Sequence, residues 1–298
     1  MSEQVTDSKK KKKGLLVLVL AIALVGAIAF TLLATGGVVV SGEARSLARE
    51  LKKDGTTTIV LDKDVEIKTP LVVNGKKTIT GSGKIVLSEK AKIEWPELEE
   101  IKSFGGVGCA TVKIHDTSIM PAMFVVSSDA ELTIAGNVGV DAVNFANVCQ
   151  VQSNGSFTLK DKASLENGRY CNVDVQEKAE FTLKGGKSLN GTKFNVISKG
   201  TTEVDGGTVS GTVEKSGAAI YSTSKLVIKD GLVEKSACHN IYVAKGEFEM
   251  TGGASSFSKA DGIIVKQEAT ATITGGTMEL HTKHGIHNDG KMTIGKAT

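Results

Sequence analysis

The sequence predicts an all-β fold, a right-handed parallel β-helix of about ten coils, with a short capping helix before it and one transmembrane helix before that. Three observations carry this expectation. Residues 15–34 form an uncharged apolar run. Short β-branched strands recur every 21–25 residues from residue 130 onward. Glycine is abundant at 34 residues while aromatic residues make up only 4% of the chain. That composition suits a thin aliphatic core stacked along an axis better than the thick core of an α/β enzyme.

The apolar run reads LLVLVLAIALVGAIAFTLLA. Twenty helical residues span about 30 Å, the hydrocarbon thickness of a bilayer. The run continues to Val40, interrupted by Thr35, Gly36 and Gly37. A cleavable signal has an apolar stretch of roughly 7–15 residues, so residues 14–40 read as an uncleaved signal-anchor, with cleavage near Ser41–Ala44 as the other reading. Lys9–Lys13 precede the span directly. By the positive-inside rule they make residues 1–13 a cytoplasmic basic tail and place the rest outside the plasma membrane. The net charge of +3 lies wholly in this tail. Of 36 Lys and Arg five are Lys9–Lys13, and of 33 Asp and Glu two are Glu3 and Asp7, which leaves 31 of each sign from Gly14 on. A neutral ectodomain has no electrostatic footprint for nucleic acid.

Residues 41–55 are expected to hold an amphipathic capping helix. Ala44, Leu47, Ala48 and Leu51 share one face at the spacing of 3, 4 and 7, and Gly55 stops it. Strand-like runs TTTIVL (56–61), VEIKTPLVV (65–73), KTITGSG (77–83) and KIVL (84–87) follow. A helix at this place would cover the core and unpaired backbone that an open solenoid end exposes.

The repeat then dominates. One strand recurs with its last apolar residue at Ile134, Leu159, Leu183, Val204, Ile228, Met250, Ile273 and Ile294. A second strand keeps phase with it, as CQV (149–151), VDV (173–175), VIS (196–198), IYS (220–222), IYV (241–243), IIV (263–265) and IHN (286–288). Glycine pairs such as Gly206–Gly207 and Gly252–Gly253 follow most of the first strands and suit corners that need positive φ. Two phased strands every 21–25 residues mark a solenoid. The leucine and asparagine pattern of leucine-rich repeats is absent, and a β-sandwich would not hold both strands in phase over seven units. Residues 56–298 are the β-helix on this reading. The chain closes on MTIGKAT in the middle of a coil without a capping segment, so the expectation is that either the protein continues or a partner covers this open end.

The turns GGTVSG (206–211), GGASS (252–256) and GGTMEL (275–280) resemble those of right-handed parallel β-helix proteins of the pectate-lyase-like superfamily, in particular bacterial adhesin-like surface proteins. The resemblance covers roughly residues 56–298. It implies the fold and leaves the function open, since lyases, hydrolases, adhesins and phage tailspikes share it.

Alternation along the second strand turns Val173, Val175, Ile241, Val243, Ile263 and Val265 inward. The residues between face outward as a row: Gln150, Asp174, Ile197, Tyr221, Tyr242, Ile264 and His287. Ile197, Tyr221, Tyr242 and Ile264 would form an exposed stripe roughly 20 Å long, suited to sugar rings or a partner's apolar groups. The alternatives are a ladder that holds register, or a stripe covered by a loop such as 212–218 or 233–239. The first strand's outward row is Thr133, Thr158, Thr182, Glu203, Val227, Glu249, Thr272 and Thr293. Its three interruptions disfavour an ice-binding face.

Enzymes of the resembled superfamily place several carboxylates on one outward face, where lyases bind calcium and hydrolases use an acid and a base. Here Asp174 is the single carboxylate of its row and Arg169 the single arginine of the repeat region, next to Tyr170. They are the catalytic candidates, with calcium implied only if the enzyme reading holds and no cofactor otherwise. His281, His284 and His287 are candidate metal ligands by their spacing of three, although zinc needs three or four convergent donors. Solvated turn histidines are the alternative. Cys149 and Cys171 sit on adjacent coils offset by two residues, beyond disulfide reach, and Cys109 and Cys238 lie in less regular segments. Asn154-Gly-Ser and Asn190-Gly-Thr fit the N-glycosylation pattern. The expectation is a membrane-anchored, non-catalytic surface β-helix for adhesion, polysaccharide or protein contact, or envelope scaffolding. A polysaccharide lyase or hydrolase, or a module of a larger extracellular assembly, are the alternatives.

Overall fold

The structure, a computed structural model, describes residues 38–40, 43–93, 109, 112, 114 and 116–295. The transmembrane segment 15–34 and the basic tail lie outside the described residues. Among the described residues no helix is long and apolar enough to cross a membrane. Val38–Val40, the end of the range assigned to the anchor, form a strand instead of helix, as three β-branched residues in succession favour. The chain divides into two compact units, Met1–Val38 and Val39–Thr298, and the second is the β-helix.

Helix α1 spans Ala44–Lys52, shorter at both ends than the expected 41–55. Leu47 and Leu51 are buried, and the helix packs against the three strands of the first coil, Thr56–Leu61, Val65–Ile67 and Leu71–Val73. It caps the first coil as its amphipathic face requires. The Leu51 carbonyl, which has no partner inside the helix, accepts from the Asn74 amide at 2.9 Å.

About ten coils follow, built from parallel pairings throughout the named strands. Each coil carries three strands, one more than the repeat suggested. Sheet 1 contains the strands of the Thr133 row, and its register aligns Thr133, Thr158, Thr182, Glu203, Val227, Glu249, Thr272 and Thr293 without a slip. Sheet 3 contains the partner strands and aligns Gln150, Asp174, Ile197, Tyr221, Tyr242, Ile264 and His287 in one column. Sheet 2 lies between them in the chain and stacks Val140, Leu165, Ser188, Val209, Val233, Ser255 and Met278. Many of its strands have only three residues. One inward side chain per strand leaves no period to read.

The corners explain the composition. Between sheets 1 and 2, Gly207 has φ +82°, and a Cβ there would lie 2.3 Å from the carbonyl oxygen of Gly186 on the coil before. Only glycine supplies the left-handed backbone and the clearance together. Between sheets 2 and 3, Asn172, Asn195 and Asn240 are fully buried. Asn172 Nδ2 donates to Asn195 Oδ1 at 2.9 Å, and Asn195 Nδ2 to the Ser210 carbonyl at 3.1 Å. These amides satisfy corner carbonyls that the strand ladders leave over. Aliphatic stacks and the Phe157–Phe181 ring pair, 5.3 Å apart, fill the interior. In the last coil Ile286 and Met292 are half-buried and Ile294 is 57% exposed.

The coil period breaks once. Residues 88–121 intervene between the sheet 2 strand Lys84–Leu87 and the sheet 3 strand Ala122–Val126.

Candidate functional site

The outward column of sheet 3 aligns as the alternation predicts, but it is not a free surface. Val112 and Met120, with Ile114 half-buried beside them, pack on Tyr170, Cys171, Phe194, Ile197 and Tyr221. Ile197 is 0% exposed, Tyr221 7% and Ile264 6%, and Tyr242 is half-buried. The expected exposed stripe is therefore corrected: its first half is the floor of a second small apolar core outside the coils. Among the described residues the cover comes from Val112, Ile114 and Met120. Tyr221 stacks on Tyr242 with centroids 5.5 Å apart and meets Phe194 edge-on at 5.7 Å, as aromatic pairs prefer.

Asp174 is fully buried in the same column. Thr117 Oγ1 donates to its Oδ1 at 2.8 Å, and Gln150 and Gln176 donate to its Oδ2. Lys199 Nζ donates to Thr117 Oγ1 at 2.7 Å. Burial raises the Asp174 carboxyl above its ordinary value, against the pull of Lys199 and the three hydrogen bonds. Arg169 is exposed on its turn. The groups that bond Asp174 are Thr117, Gln150 and Gln176, and the carboxylate is sealed under Thr117. Beside the seal runs an open cleft of about 550 Å³, lined by Asp116, Ser118, Gln150, Gln152, Gln176, Glu177 and Lys199 among others.

No family model matches this chain, and neither does any curated protein or solved structure.

Beyond Tyr221, around Cys109, donor groups accumulate. His239 Nε2 donates to the Cys109 carbonyl at 2.8 Å, and its Nδ1 lies 3.3 Å from Asp261 Oδ2. Asp261 Oδ1 accepts from His284 Nδ1 at 2.6 Å. The register that pairs Ile241 with Ile263 and Ile263 with Ile286 puts His239, Asp261 and His284 two residues earlier on three successive coils. One carboxylate, 3% exposed, therefore joins two imidazoles along the stack. Cys109, Cys238 and His239 each bring a donor atom within 4.8 Å of the others, and so do Asp261, His284 and His287. Burial lowers the His239 imidazole, and burial followed by the neighbouring Cys109 thiol pushes the Cys238 thiol up.

The three histidines separate. His284 and His287 meet edge-on, 5.8 Å apart. His281 turns away: its Nδ1 is 2.8 Å from Ser258 Oγ, and its Nε2 is buried beside Gly262. Cys149 pairs in register with Val173 and Cys171 with Asn147, so the offset of two holds and all four cysteines are free thiols. Sequence spacing could not find Cys109 with Cys238, because their meeting depends on where residues 88–121 lie.

Proposed function

We propose that this chain is a non-catalytic, membrane-anchored surface module that holds a rigid β-helix outside the plasma membrane and binds a carbohydrate in the polar cleft beside sheet 3. The cleft carries the reading. Amide, hydroxyl and carboxylate groups from Gln152, Gln176, Ser118 and Glu177 converge there on an open, pre-formed surface, the donor and acceptor mixture that polyhydroxylated ligands take. The burial of Asp174 under Thr117 supports a binding role over a lyase or hydrolase, because a proton-transferring carboxylate must reach its substrate. Residues 15–34 supply the anchor and Lys9–Lys13 its orientation.

The test is a glycan array probed with the full chain in detergent, beside a Gln152→Ala, Glu177→Ala double variant. Both side chains lie outside the core, so the fold is expected to survive. Selective glycan binding that weakens at least roughly tenfold in the double variant supports the reading. Release of unsaturated or reducing sugar ends from a polysaccharide panel, abolished by Asp174→Ala, would establish the enzyme instead. Equal signals from both proteins would remove the cleft from the account.

A further inference from the structure

We propose that Cys109, Cys238 and His239 bind one zinc ion, and that this ion clasps the covering residues onto the β-helix. Two sulfur donors and an imidazole within 4.8 Å of one another are a donor set that zinc favours and that calcium or magnesium does not. The three come from two distant stretches of chain, as a clasp requires. Cys238 and His239 belong to the coils, while Cys109 belongs to the segment whose Val112 and Met120 cover Tyr221 and Ile197.

The surroundings support the assignment. Asp261 Oδ2 lies 3.3 Å from His239 Nδ1. A carboxylate at that nitrogen is the usual second partner of a zinc-bound imidazole and leaves Nε2 for the ion. In the metal-free chain Nε2 donates to the Cys109 carbonyl and Nδ1 accepts from the Asp261 amide, so binding moves the ring proton to Nδ1, where Asp261 Oδ2 accepts it, and exchanges the carbonyl for the metal at Nε2. An open cleft of about 640 Å³, lined by Cys109, Lys215, Lys235 and Lys259, provides entry from solvent and room for a fourth ligand. Binding releases the two thiol protons to solvent and involves no redox change.

The neighbouring Asp261, His284 and His287 group offers only oxygen and nitrogen donors, and His284 and His287 are largely exposed. It is the competing site, and the experiment separates the two. The full chain in detergent is titrated with zinc chloride against a chromophoric chelator, and with cobalt(II) as a spectroscopic probe. One ion per chain and a thiolate-to-cobalt charge-transfer band are expected. Cys109→Ser and Cys238→Ser should lose the band and bind zinc at least roughly a hundredfold more weakly, and Asp261→Asn roughly 10–100-fold more weakly. His284→Ala takes a hydrogen bond from Asp261 but no donor from the ion, so it should keep the band and still bind one ion per chain. Hydrogen exchange at the Val112 and Thr117 amides should slow when zinc binds.

Circular dichroism checks that Cys109→Ser, altered only on the cover, keeps its coils. Absence of zinc binding by the unaltered chain would overturn the proposal. So would zinc binding lost in His284→Ala and kept in Cys109→Ser, or a Cys109–Cys238 disulfide in non-reducing peptide maps. Zinc binding with no change in exchange at Val112 and Thr117 would overturn the clasp.

Discussion

The hydroxyl of Thr117 and the carboxylate of Asp174 stand 57 positions apart in the chain and 2.8 Å apart in the molecule. This bond closes the outer face of sheet 3 over a carboxylate that has no contact with solvent. Thr117→Val keeps the shape and deletes the donor, which also deprives Lys199 of its acceptor. A loss of about 1–3 kcal/mol is expected, the usual cost of stranding a buried polar group. Denaturant unfolding measures it, and Thr117→Ser should recover most of the loss.

The same carboxylate makes stability depend on pH. Asp174 titrates above its ordinary 3.8 when folded, chiefly because burial disfavours its charge. The folded protein therefore holds this proton more tightly than the unfolded chain does. Its stabilising contribution is complete below about 3.8 and falls as pH rises through the elevated value. Relative to Asp174→Asn, wild type should lose stability from acid toward neutral pH. Unfolding midpoints taken as a pH series check this, and a relative gain over that range would contradict it.

Tyr221 belongs to a packed core and not to a display surface. Tyr221→Ala should destabilise by roughly 3–5 kcal/mol, as large aromatic truncations do when the cavity cannot collapse. Thr158→Ala, on the partly open row of sheet 1, should stay within about 0.5 kcal/mol. An exposed stripe would make the two substitutions equal in thermal or chemical unfolding.

Glycine corners should separate by what surrounds them. At Gly207 an alanine meets the Gly186 carbonyl as well as an unfavourable φ, and at Gly55 it meets only the φ of +87°. Gly55→Ala should cost about 1–2 kcal/mol. Gly207→Ala should cost clearly more, because two stacked coils must part to admit the methyl group. Midpoints of urea unfolding rank them.

The sequence carried the parts of this fold that repeat with a period. Sheets 1 and 3 alternate over three or more residues per coil, so their outward columns could be read residue by residue, from Thr133 to Thr293 and from Gln150 to His287. Sheet 2 escaped because Lys187–Leu189 and Ala254–Ser256 place a single serine inward. The buried amides of Asn172, Asn195 and Asn240 left a trace, an asparagine at the start of a sheet 3 strand. Ala219 breaks that column, and the spacing alone says nothing of which carbonyls it serves. The candidate site was legible only where it lies on strands. His284 and His287 stood out by spacing, but Asp261 joins them through stacking. Cys109 joins Cys238 through a segment outside the period, and alternation puts Ile197 and Tyr221 on the outward column without telling of a cover.

The cover also has an order in time. Val112, Thr117 and Met120 precede Asp174, Ile197 and Tyr221 in the chain, so synthesis delivers them before the floor on which they rest. Coils can stack as they emerge, each on the last, but these residues must wait for at least four more coils to exist. During that interval a growing chain would present apolar side chains with no native partner, and the outer core would close last. Slow exchange at the coil amides should therefore be established before protection appears at Thr117.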